Sequence, residues 1–325
     1  MLTHLSPPRR EALRHSCLAC GGACQAVVVP VIGAEERARI ESLGAQLGVA
    51  EPVVNGRQLR MVGGRCVFLG EDELCRLHGA FGSASKPAVC SQFPLLVLRV
   101  GESLRVGIDP TCFTAYQTWR DGPPVSSPGA MTMPVPLDPS QEPIESRLIS
   151  VLESEDAGLG MFLRAVAGEP QDGDKLPTGF ASRLITAMQA SPLEEILHKE
   201  GVGRAIPGAL APLRAALPTW SAASPPPWPP ENPEIIAWGV ESVRRTLFLR
   251  TQAAQLPVVA GVALLAAAGG VACAWACPEP KDYARALAGW LRLCRTPMYW
   301  ARLMPTSAAM HWLIRGVGEA PNASA

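Results

Sequence analysis

Apolar residues recur at helical spacing in several stretches of the chain, and these stretches cluster after residue 143. Before it, Ala34–Leu47 places Ile40, Leu43 and Leu47 on one face with charges between them, which predicts one short amphipathic helix. After it, 144–167, 179–199, 235–255, 257–277, 281–294 and 298–314 each carry a helix-compatible pattern, several opened by Asp, Ser, Pro or Asn. Two proline-rich stretches, 121–143 and 217–233, interrupt the pattern. Proline at that density excludes helix and central strand, so both are expected to be linkers or long surface loops. The expected fold is mainly α: a small loop-rich, cysteine-bearing module at 1–120, a linker at 121–143, and an all-α region at 144–325 with a frayed tail after Gly316.

The stretch Leu256–Cys277 carries no charge over 22 residues, which is long enough to span a bilayer. It is built from Ala, Gly and Val with only three Leu, so its transfer free energy is weak, and a buried helix is the expectation. Lys plus Arg equals Asp plus Glu at 29 each, so no global field draws the protein to nucleic acid or to an anionic membrane. The first 16 residues lack the apolar segment of a secretory signal, which places the expected site of action in the cytoplasm.

That compartment changes the meaning of the cysteines. Seven of the ten fall between Cys17 and Cys112, ordered Cys17-x2-Cys20-x3-Cys24, Cys66-x8-Cys75-x14-Cys90, then Cys112. In a reducing compartment, thiols at this density are metal ligands or redox centres more often than disulfides. Thiolates are soft anionic ligands suited to zinc, iron and iron–sulfur clusters, and Gly21-Gly22 and Gly63-Gly64 supply tight turns beside them. The candidate metal ligands are therefore Cys17, Cys20, Cys24, Cys66, Cys75, Cys90 and Cys112, with the choice among them open. Cys273, Cys277 and Cys294 lie in Ala-rich helical patterns and are expected to be buried without function.

The blocks CLACGGACQ, RCVFLGEDELCRLHGAFG, KPAVCSQFPL and DPTCFTAY, in that order, resemble the YkgJ-type cysteine-cluster family, a zinc- or iron-chelating domain with a CxxCxxCC signature. The flagellin lysine N-methylase family is similar across the same stretch, about residues 14–120. One departure is clear: Gln25 follows Cys24 where these families carry a second, adjacent cysteine. The resemblance implies bound zinc or iron, the iron alone or as a [4Fe-4S] cluster. It implies S-adenosylmethionine and a protein lysine substrate only under the methylase alternative, so enzymatic activity stays open.

Other chemistry has less support. His15 and His78 lie near cysteines in sequence and are read as exposed polar groups rather than ligands. The eight Trp, mostly C-terminal, are read as packing and loop anchors. The sequence carries no Walker loop, GxGxxG after a strand, GxSxG elbow or HExxH. The expected function is that of a metal-binding cysteine-cluster protein, with a protein as its partner or substrate.

Overall fold

In the computed structural model, residues 4–5, 13–25, 29–125, 131–135, 139–249, 259–295 and 312–316 are described. The helices are α1 (Gly33–Gln46), α2 (Arg76–Phe81), α3 (Ala88–Gln92), α4 (Ala115–Thr118), α5 (Glu142–Leu152), α6 (Leu159–Ala167), α7 (Phe180–Ala190), α8 (Leu193–Leu197), α9 (Ala205–Ala209), α10 (Ala211–Ala216), α11 (Pro233–Phe248), α12 (Val259–Ala276) and α13 (Pro280–Cys294). The strands are β1 (His4–Leu5), β2 (Val53–Val54), β3 (Gln58–Leu59), β4 (Met61–Val62), β5 (Arg65–Cys66), β6 (Leu95–Val100), β7 (Ser103–Ile108) and β8 (Met133–Val135). The protein is mainly α, as the pattern predicts.

Hydrophobic periodicity located most of the long helices but joined some that the chain divides. The stretch 144–167 forms two helices, because Asp174 accepts hydrogen bonds from the Gly160 and Met161 amides at 2.6 and 3.2 Å and so fixes a new helix start. The stretch 179–199 breaks at Ser191-Pro192 for the reason proline breaks any helix. Of 298–314 only the end is described, and it is helical at 312–315. The expected fraying after Gly316 lies outside the described residues.

α12 is apolar on every side because no side of it faces water. It packs against α11, α13, α6 and α10, and Ala263 through Ala274 are buried. Among the described residues no helix is long and apolar enough to cross a membrane. Trp290 of α13 seals the α12 contact: its indole N–H donates to Leu265 O at 2.9 Å.

A sheet of order β1-β7-β6-β8 was not anticipated. β6 and β7 form an antiparallel hairpin registered from Leu95↔Ile108 to Val100↔Ser103, turning at Gly101-Glu102. β8 pairs parallel with β6 and occupies the sheet edge, the position that tolerates Pro134 within a strand. One hairpin face places Leu95, Val97 and Ile108 in the same core as Leu148, Trp238 and Leu287. The main core thus crosses the proline-rich stretch 121–143, and Arg105 of β7 reinforces the crossing by pairing with Glu145 of α5 and donating to Phe248 O at 3.0 Å. A second, smaller core around Ile40, Phe68 and Leu77 is, with the residues packed on it, contained within residues 24–90.

Glu241 of α11 accepts from Arg244 at 2.8 Å and from Arg245 at 2.6 Å. Burial opposes its ionisation, but the two guanidiniums outweigh burial and hold the carboxyl below the ordinary value of 4.5. A depressed folded value means that the unfolded chain takes up the proton first. The stabilisation is therefore complete at neutral pH and lost as pH falls through the carboxylate range. We expect the urea midpoint of the wild type to fall between pH 6 and pH 4 more steeply than that of Glu241→Gln, and parallel slopes would refute this assignment.

Candidate metal centre

Four cysteines from three separated segments line the smaller core. Cys24 closes a short turn, Gly22–Cys24, and Cys66 lies in β5. Cys75 caps α2, and Cys90 sits within α3. All four pack against the cluster that contains Phe68 and Leu77.

Local chemistry explains each placement. β4 and β5 pair Met61 with Cys66 and Val62 with Arg65, leaving Gly63-Gly64 as a two-residue turn with φ of 55° and 71°. Both values are positive, as a primed hairpin turn requires, and glycine accepts them without strain. The next loop is held by Leu69 N donating to Cys66 O at 2.8 Å and Arg76 N donating to Phe68 O at 2.8 Å, which delivers Cys75 to the start of α2. α1 then positions Cys90. Glu36 accepts from Ala88 N at 2.8 Å, and Arg39 donates to Ser85 O at 2.6 Å and Lys86 O at 3.2 Å, so the approach to α3 is latched from both signs of charge.

A polar chain ties two of these segments in register and joins them to α9. Gln25, next to Cys24, donates to Glu73 at 2.6 Å. Glu73, two residues before Cys75, accepts from Arg65 at 2.6 Å, and Arg65 immediately precedes Cys66. The same Gln25 side chain accepts from the Arg204 and Ala205 amides, both at 2.9 Å, and so joins the cysteine segment to the start of α9. Where the resembled families carry a further thiol, this protein therefore carries a buried structural tie. We expect Gln25→Ala to lose about 2–3 kcal/mol in a denaturant titration, because two amides and a carboxylate lose their partner. Gln25→Cys should fare no better, and a neutral effect would show the tie to be idle.

Three of these thiols are raised by burial and by neighbouring sulfur. Burial first, then Cys66 and Cys75, push the Cys24 thiol up to about 12, while Lys86 and Arg292 pull it down. Burial pushes Cys66 up to about 11, with Cys75 adding to the effect and the Phe68 and Leu69 amides opposing it. Cys90 is pushed higher still by burial and then by Cys24 and Cys66, with Lys86 opposing. Several anionic sulfurs cannot share an apolar pocket without a cation among them. Among the described residues no group of three or more His, Cys, Asp or Glu is arranged to hold a metal ion as it stands. The four thiols thus share a neighbourhood rather than a finished coordination sphere.

The other three candidates lie elsewhere. Cys17 and Cys20 are exposed on the loop before Gly21, and Cys112 is buried with its sulfur 3.4 Å from Thr114 Oγ1. Cys112 follows a turn in which Asp109 accepts from the Thr111 amide and hydroxyl at 2.9 and 2.8 Å. Its thiol is raised by burial, and Cys20 contributes to that rise. Cys273, Cys277 and Cys294 are buried in the main core, as expected. His78 is exposed. His15 departs from expectation: it is half-buried, its Nδ1 lies 3.0 Å from Thr118 Oγ1, and burial followed by Arg245 pulls its pKa down, so it acts as a structural imidazole.

Arg292 is the residue that sequence reasoning missed. It stands on α13, is 2% exposed, and donates through Nη1 to Gly22 O and Gln25 O and through Nη2 to Thr111 O at 3.0 Å. It reaches both cysteine-bearing segments from the far end of the chain. A lone arginine at an otherwise apolar helical position was the available signal.

Compared with family models, with curated proteins and with solved structures, the chain matches none.

Proposed function

We propose that this protein binds a thiophilic metal through a cysteine cluster in a small loop-rich module, which is carried on a helical body. The observation behind this reading is the convergence of Cys24, Cys66, Cys75 and Cys90 on one small core. Four sulfurs match the donor set of a tetrahedral zinc site, of a single iron, or of a [4Fe-4S] cluster. These residues would hold the metal, and its positive charge would relieve the mutual repulsion of the thiolates. Cys20 and Cys112 lie near Arg292, and Cys17 is exposed on the loop that precedes Cys20. A protein partner and a reducing, cytoplasmic setting complete the reading.

Metal analysis of anaerobically purified full-length protein tests it. One equivalent of zinc in a colourless sample, or iron with broad absorbance near 400 nm in a brown one, fits the reading and names the metal. Metal-free protein that remains empty after exposure to Zn(II) and Fe(II) under reducing conditions would refute it.

A further inference from the structure

Arg292 carries a buried charge that, among the described residues, is in no ion pair. The nearby Asp109 is taken by Arg295, whose two Nη atoms lie 2.7 and 3.0 Å from its oxygens. Among the described residues no carboxylate forms an ion pair with Arg292, and its Nε has no hydrogen-bond partner. The guanidinium lies 4.9 Å from the Phe113 ring centroid and 5.9 Å from that of Phe93, in apolar surroundings. Burial strongly disfavours a cation left uncompensated. The titratable and charged groups that face it are Asp109, Arg295, Cys112, Cys20 and Cys24. Asp109 acts on Arg292 but is bonded to Arg295, so among the described residues the further negative charge available to Arg292 is that of sulfur.

The backbone contacts place Arg292 against the cysteine turn rather than merely near it. Its bonds to Gly22 O and Gln25 O bracket Cys24, and its bond to Thr111 O adjoins Cys112. The two segments are in direct contact, since a Cβ on Gly22 would lie 2.1 Å from Phe113 Cδ2. Lys86, four residues before Cys90 and held by its backbone carbonyl to Arg39 at 3.2 Å, is a second cation acting on the Cys24 and Cys90 thiols. A divalent metal or a [4Fe-4S]2+ cluster with four thiolates has a net charge of +2 − 4 = −2. Lys86 and Arg292 together supply +2.

We propose that Arg292, reaching across from the C-terminal helix α13, is with Lys86 the counter-ion pair of a dianionic metal–thiolate centre, and so sets its affinity from outside the cysteine module. The proposal rests on the metal-binding reading above. It makes Arg292 a positioning and charge-balancing residue rather than a ligand.

The test uses the full chain, loaded with Zn(II) or Fe(II) and challenged with a chromophoric chelator. Arg292→Met keeps the length of the side chain and removes its charge, and it should weaken metal retention by about 10- to 100-fold. Arg292→Lys keeps the charge and should stay within a few-fold of wild type. Lys86→Met should weaken retention in the same direction as Arg292→Met. If the protein holds iron–sulfur, both Met variants should also shift its reduction potential downward, because a nearby positive charge favours the reduced form. Equal retention in wild type and folded Arg292→Met would overturn the proposal, as would equal losses in Arg292→Lys and Arg292→Met. If Arg292→Met does not fold, Arg292→Lys and Lys86→Met decide between the same outcomes. A wild type that binds no metal sinks the underlying reading, a result distinct from a wild type that binds metal regardless of residue 292.

Discussion

Cys66→Ser and Cys90→Ser should each strip the protein of its metal and leave residues 17–92 open to limited proteolysis. Serine replaces a soft thiolate with a hydroxyl that stays protonated at neutral pH, so the centre loses a bond and a compensating charge together. The smaller core around Ile40, Phe68 and Leu77 is thin, and Cys24, Cys66, Cys75 and Cys90 pack directly on it. A metal that joins segments 24, 66–75 and 90 contributes to folding as well as to binding, so both readouts should move together. Cys294→Ser is the control. Its thiol lies in the main core, and the change should cost on the order of 1 kcal/mol while metal content stays at the wild-type level. Metal analysis and mass-mapped trypsin cleavage, run side by side, would expose the error if Cys66→Ser retained its metal.

Trp290→Ala should cause the largest loss of stability in the helical body, about 3–5 kcal/mol by denaturant titration. The indole is 2% exposed and fills the groove over Gly269, where a Cβ would lie 2.0 Å from Trp290 Cδ1. Truncation leaves a void between α12 and α13 and removes the partner of Leu265 O. Against a total stability of roughly 5–15 kcal/mol, a loss of that size is a large share. Gly269→Val attacks the same contact from the other side by overfilling it, and should cost about 1–3 kcal/mol. A loss of less than about 1 kcal/mol for Trp290→Ala would mean that this helix pair is not central to the core.

The helical body was legible because its long elements are amphipathic or wholly apolar over many turns. α11 and α13 carry apolar residues at helical spacing with polar ones between them in sequence, and α12 has no charged position at all. The β6–β7 hairpin was not read, although LLVLRV and SLRVGI flank a Gly-Glu turn, because both faces of it are buried and the alternation is blurred. Cysteine density marked the N-terminal segments for attention, yet spacing along the chain could not divide the seven thiols. That division depends on which segments fold back together: Cys24 with Cys66, Cys75 and Cys90 on one core, Cys20 and Cys112 beside Arg292. Gln25 and Arg292 escaped notice for a related reason. Each acts on partners more than 175 residues away, and no local pattern encodes contacts of that separation.

The bond from Arg292 to the cysteine turn also has a meaning in time. Arg292 follows Gln25 by 267 residues, so on a ribosome adding about 5–20 residues per second it is made roughly 15 to 50 seconds after the turn that it braces. Throughout that interval the nascent cysteine segments have Lys86 but lack their second counter-charge. Metal captured then would be held loosely and could exchange, whereas metal present once α13 docks would be retained. The docking of α13, rather than the appearance of Cys90, would mark the moment at which the centre locks.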